Sequence, residues 1–113
     1  MDIIQDYVKR QKREQKREQM TSKREVLEDV IKEVTGVKDL WRTSRKKEQV
    51  YSRFIYWYIM YIFYKGGTLK ELGRGKDHST VIHGIENVKD AISYSGSNPE
   101  LLSIYLQVVE KLK

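Results

Sequence analysis

Residues 76 to 83 read KDHSTVIH, which puts a cation, a carboxylate, two imidazoles and two hydroxyls within eight positions. Metal binding is one chemistry such a set could serve. On a helix, however, five positions rotate by about 500°, leaving His78 and His83 some 140° apart, and the chain has no cysteine to add a thiolate. Proton transfer is another, but Asp77 and His78 are adjacent, neighbouring helical side chains point apart, and no nucleophile or second carboxylate cluster accompanies them. Recognition of nucleic acid uses the set more fully. His78 can donate or accept, the hydroxyls of Ser79 and Thr80 can meet a base or a phosphate, and the Thr80 methyl can pack on a thymine methyl. Lys76 supplies a charge for phosphate. Asp77 is the natural N-cap, its carboxylate accepting a backbone N–H from Ser79 or Thr80; accepting from a cytosine amino group is its other possible role. No catalytic, metal or cofactor site is expected from these residues.

The flanking sequence has to hold this segment in place. Thr68 and Glu71 have capping-box spacing in TLKE and open a helix that Gly73 and Gly75 keep short. After the turn, Val81, Ile82, Ile85, Val88 and Ile92 mark the buried stripe of a longer helix. A short helix, a glycine turn and a capped second helix over about 68–93 form a predicted helix-turn-helix, whose second helix ordinarily enters the major groove with its first turn foremost. Upstream, Ser22 and Glu25 repeat the capping-box spacing, and Val26, Leu27, Val30, Ile31 and Val34 give a first core helix that Gly36 ends. A second helix is predicted from Thr43 or Ser44 to Tyr64, stopped by Gly66 and Gly67. Asn98 can cap a last helix with Pro99 at its first position, and Leu101, Leu102, Tyr105, Val108, Val109 and Leu112 form its apolar face. The predicted fold is all-α. Residues 22–113 form one helical domain, and 1–21, with its KREQ repeat and no continuous apolar stripe, form a basic tail or helical extension.

The 113 residues carry a formal charge of +6, and 34% are charged. The positive field peaks at 42–53, where five Lys/Arg face one acid, and returns at 65–77. That balance favours a polyanionic partner, and together with the lack of cysteine it fits a cytoplasmic, nucleoid-associated setting. The apolar run FIYWYIMYIFY at 54–64 is shorter than the roughly 20 residues that span a bilayer, so no membrane role is expected. It suits a central helix wrapped by the others. An exposed tyrosine face for self-association or a protein partner is the alternative use.

The two basic segments carry a resemblance. TLKELG followed by GKDHSTVIHG, and SRKKEQVYSRFIYWY at 44–58, resemble in order and register the signature of the C-terminal DNA-binding domain of the bacterial replication initiator DnaA, a fold similar to the Trp repressor class. The likeness covers roughly residues 22–93. It implies sequence-selective binding of double-stranded DNA at sites of the replication-origin kind. By position, it implies that Arg45, Lys46 and Lys47 form the basic loop, with Lys46 at the minor groove. Arg53 would clamp or read the DNA, Lys76 would contact phosphate, His78, Ser79 and Thr80 would form the recognition triplet, and His83 would lie on the backbone side or be structural.

Three features depart from the pattern. Glu71 and Asp77 are six positions apart where the family has nine, Phe54 stands where glutamine is common, and no G-x-x-x-x-G-K-[ST] occurs. An ATP-driven initiator activity is therefore not expected. The rival to the DNA reading is a protein-interaction module built on the aromatic helix.

Overall fold

A computed structural model describes residues 3–94 and 96–113, with residues 6 and 12–19 described by their backbone alone. Among the described residues the fold is all-α, as predicted. α1 runs Ile3–Thr35, α2 Lys47–Tyr58 with a π-helical continuation Ile59–Tyr64, α3 Leu69–Gly73, α4 His78–Ser93 and α5 Pro99–Leu112. No helix among these residues is long and apolar enough to cross a membrane.

Three predicted boundaries hold because each is set locally. Gly36 takes a left-handed φ of 77° and donates its N–H to the Lys32 carbonyl at 2.8 Å. Thr68 Oγ1 accepts from the Glu71 N–H at 3.2 Å, the N-cap half of a capping box, and the hydroxyl donates to the Glu71 carboxylate at 3.1 Å. The Asn98 side chain accepts from the Leu101 N–H at 3.1 Å, and Pro99 follows as the first helical residue.

Other boundaries move. The first helix does not begin at Ser22: α1 is unbroken from Ile3, because Lys, Arg, Glu and Gln are all strong helix formers and nothing in the KREQ repeat stops it. α2 begins at Lys47 rather than Thr43 or Ser44, since Ser44 Oγ accepts the Lys46 N–H at 3.2 Å and turns the chain before the helix starts. The aromatic helix does end at Tyr64 as predicted, but its left-handed C-cap is Lys65, φ 49°, rather than a glycine, with Gly66 N–H returning to the Met60 carbonyl at 2.9 Å.

The core gathers around the first half of the aromatic helix. Ile55, Tyr56, Trp57, Ile59 and Met60 are buried among Leu27 and Ile31 of α1, Val81, Ile85 and Val88 of α4, and Leu101 and Val108 of α5. A central helix wrapped by the others therefore describes residues 55–60. It does not describe 61–63, where Tyr61, Ile62 and Phe63 are exposed. The π-helical widening accompanies this change of face, and Tyr58 meets Phe63, five positions on, edge-to-face with ring centres 5.8 Å apart. Val26, Ile82 and Ile92, predicted on buried stripes, are exposed as well, each lying at the margin of its stripe.

α2 and α4 pack against each other more extensively than any other pair of helices among the described residues. A Cβ placed on Gly84 would come within 2.6 Å of Phe54 Cδ1 and 2.8 Å of Trp57 Cε3, so the crossing depends on a residue without a side chain. Trp57 also donates its Nε1–H to the Leu72 carbonyl at 2.9 Å, which fixes the short α3 to α2.

Candidate nucleic-acid interface

The segment 74–83 is held from three sides. Arg74 occupies a left-handed position, φ 49°, and Gly75 follows at φ 87°, reversing the chain after α3. The Arg74 guanidinium lies 4.2 Å over the Trp41 ring and pairs with the Glu28 carboxylate at 2.9 Å. Trp41 Nε1–H reaches the same carboxylate at 3.4 Å, so the turn is tied to α1 through one acid and one indole. On its other side, a Cβ built on Gly73 would come within 3.0 Å of Val81 Cγ2, so the glycine permits the close approach of α3 to α4.

This anchoring leaves the first turn of α4 facing solvent. His78, Ser79 and Thr80 are all exposed. Asp77 is the N-cap residue by backbone geometry, yet its carboxylate does not accept a backbone N–H as predicted; Ser79 Oγ donates to it at 2.8 Å instead. The Asp77 and Ser79 side chains therefore act as a pair, which leaves His78 and Thr80 with free polar groups. His83, one turn further, is exposed but engaged: its ring meets Phe54 edge-on at 5.9 Å and its Nε2 lies 3.2 Å from Asn87 Nδ2. That contact favours the structural role for His83. The Phe54 ring also fills the α2–α4 crossing beside Gly84. Further along the exposed face come Glu86 and Asp90.

The basic loop is built by a buried arginine. Arg53 is nearly inaccessible and donates to the Arg42 carbonyl at 2.9 Å and the Ser44 carbonyl at 3.2 Å, and burial lowers its pKa. The expectation that Arg53 clamps DNA directly is corrected accordingly: its guanidinium faces inward because the loop carbonyls would otherwise lack partners. Gln49 adds to the frame by donating to the Asp39 and Leu40 carbonyls at 2.6 and 2.8 Å. So shaped, the loop presents Arg42, Arg45, Lys46 and Lys47 to solvent. Arg42, Arg45, Lys46 and Lys76 form no ion pair among the described residues, and Lys47 makes a loose exposed one with Glu100 at 3.5 Å. Arg53 and Phe54 are consecutive on α2. One holds the basic loop and the other touches α4, so a single rigid helix fixes the two surfaces relative to each other.

The frame gives a direct stability prediction. Arg53→Met keeps the approximate length of the side chain and removes its donors, leaving two part-buried carbonyls without their partner, so unfolding in urea should register a loss of about 1–3 kcal/mol. Amide exchange in 42–46 should accelerate at the same time. Unchanged stability and protection would mean that the loop holds its shape without the guanidinium.

No family model, curated protein or solved structure matches the chain. The sequence-based triplet and basic loop thus rest on their own residues. Sequence reading missed Arg74, Trp41, Glu28 and Gln49, which shape the surface without belonging to it. Their roles depend on contacts between residues 9 to 46 positions apart, for which no local pattern exists.

Proposed function

We propose that this chain is a sequence-selective, non-catalytic binder of double-stranded DNA that acts through a helix-turn-helix formed by α3 and α4. The observation that carries the reading is the solvent-facing first turn of α4, where His78 and Thr80 keep polar groups unspent beside an unpaired Lys76. An exposed basic loop, held by the same α2 and with Arg42, Arg45 and Lys46 forming no ion pair among the described residues, supplies the second surface that such binding needs. In this reading Arg45, Lys46, Lys47 and Lys76 meet phosphates and fix position, while His78 and Thr80 meet base edges and discriminate. Ser79, committed to Asp77, contributes mainly by holding the cap. Glu86 and Asp90 would repel phosphates along the later turns, so the helix enters end-on with its first turn leading. The likeness of TLKELG, GKDHSTVIHG and SRKKEQVYSRFIYWY to the DnaA DNA-binding domain supports the same assignment and suggests sites of the replication-origin kind, at the nucleoid.

Selection from a pool of random duplexes tests the proposal. Recovery of a common motif of several base pairs is expected. Retention of duplexes with no enriched sequence would reduce the protein to a nonspecific phosphate binder.

A further inference from the structure

Two apolar surfaces of the chain are not used by the proposed DNA site. One is the head of α1, where Ile3, Ile4, Tyr7 and Val8 are 84%, 71%, 62% and 43% exposed. Their spacing places them on one side of the helix, as a short stripe. The other is an open groove of about 200 Å³ between the end of the aromatic helix and α5, lined by Ile59, Phe63, Tyr64, Val109 and Leu112. It continues toward Ser22 and Val26 of α1 through the shared Tyr64 and Leu112.

We propose that the stripe at the head of α1 docks in this groove on a second copy of the chain, and that the exchange is reciprocal, closing a symmetric dimer. Within one chain the contact is barred. α1 is a single unbroken helix from Ile3 to Thr35, and at a rise of about 1.5 Å per residue its stripe lies nearly 28 Å from Ser22–Val26, where the groove begins. A second copy lying antiparallel along α1 removes that obstacle. Its stripe arrives at the level of Ser22–Val26, and two-fold symmetry then places the first copy's stripe on the second groove. One operation satisfies all four surfaces, so this pairing closes at two copies.

The charges agree locally. In sequence, residues 3–8 hold one acid and no base, whereas Lys23 and Lys113 border the groove. An amphipathic helix end seated in an apolar groove is a common mode of recognition. The +6 charge of each copy opposes close approach at low ionic strength, so the dimer belongs to physiological salt, where the screening length is about 8 Å.

Sedimentation equilibrium of the full chain at physiological salt tests the idea. The wild-type mass should rise to that of a dimer and stop there. Tyr7→Asp in the stripe and Phe63→Asp in the groove should each raise the dimer dissociation constant at least tenfold; both side chains are largely exposed, and circular dichroism checks that the variants fold. An equimolar mixture of the two variants retains one intact stripe and one intact groove, so it should associate more tightly than either alone. A monomeric wild type, a mass growing beyond the dimer, or dimerisation that survives either substitution would overturn the proposal.

Discussion

Trp57→Ala is expected to destabilise the protein by about 3–5 kcal/mol, the range for removing a fully buried tryptophan. Trp57 is fully buried, tilts against Trp41 at 6.5 Å and Phe54 at 6.2 Å, and packs at the Gly84 crossing. Its Nε1–H also satisfies the Leu72 carbonyl. The substitution would therefore open a cavity and leave a buried acceptor without its donor, and the two costs add. Against a typical total stability of about 5–15 kcal/mol, much of the fold would be lost. Urea unfolding should show a lower midpoint with an unchanged slope. A loss below about 1 kcal/mol would mean that residues 55–60 are not the centre of the core.

That residues 54–64 form a helix could be read from the sequence; which half is central could not. Every residue in the run is apolar or aromatic, so periodicity carries no phase, and nothing in the run marks the change to π-helical geometry at Ile59. Capping residues were legible for the opposite reason. Thr68 with Glu71 and Asn98 with Leu101 act over three positions, where spacing and structure are nearly the same thing. The same rule misled at Ser22, where the motif is present but the preceding residues continue the helix regardless. Further along, Met20 is already half-buried against Gly66, a contact 46 positions away that anchors α1 before Ser22 is reached.

In the candidate interface, exposed residues were legible and their supports were not. Lys46, Lys76, His78 and Thr80 lie at the surface as their types suggest. Arg53 has the same chemistry but the opposite placement, because two loop carbonyls claim it. Nothing in its immediate sequence separates an arginine that faces phosphate from one that faces carbonyl. Asp77 makes the same point on a smaller scale, since capping by backbone geometry and capping by side-chain hydrogen bond are different events, and Ser79 decides between them.

The second large effect is electrostatic. With Arg45, Lys46, Lys47 and Lys76 on phosphates, the logarithm of duplex affinity should fall against the logarithm of salt with a slope of about −3.6, or roughly 150-fold between 50 and 200 mM. Lys47 must release its exposed partner Glu100, a pair at 3.5 Å that costs little to open. Lys46→Gln or Lys76→Gln should each reduce the slope by about one and weaken all duplexes alike. A flat salt response would remove phosphate contact from the account, and with it the role of the basic loop.

The most direct test of DNA reading is competition between a selected duplex and a scrambled one, measured for wild type, His78→Ala and Thr80→Ala at one salt concentration. Both side chains are exposed and free of structural hydrogen bonds, so the folds should be unaffected. Each substitution should weaken the selected duplex by about 1–3 kcal/mol and leave the scrambled one nearly unchanged. If both folded variants kept the wild-type preference between the two duplexes, α4 would not be the reading helix.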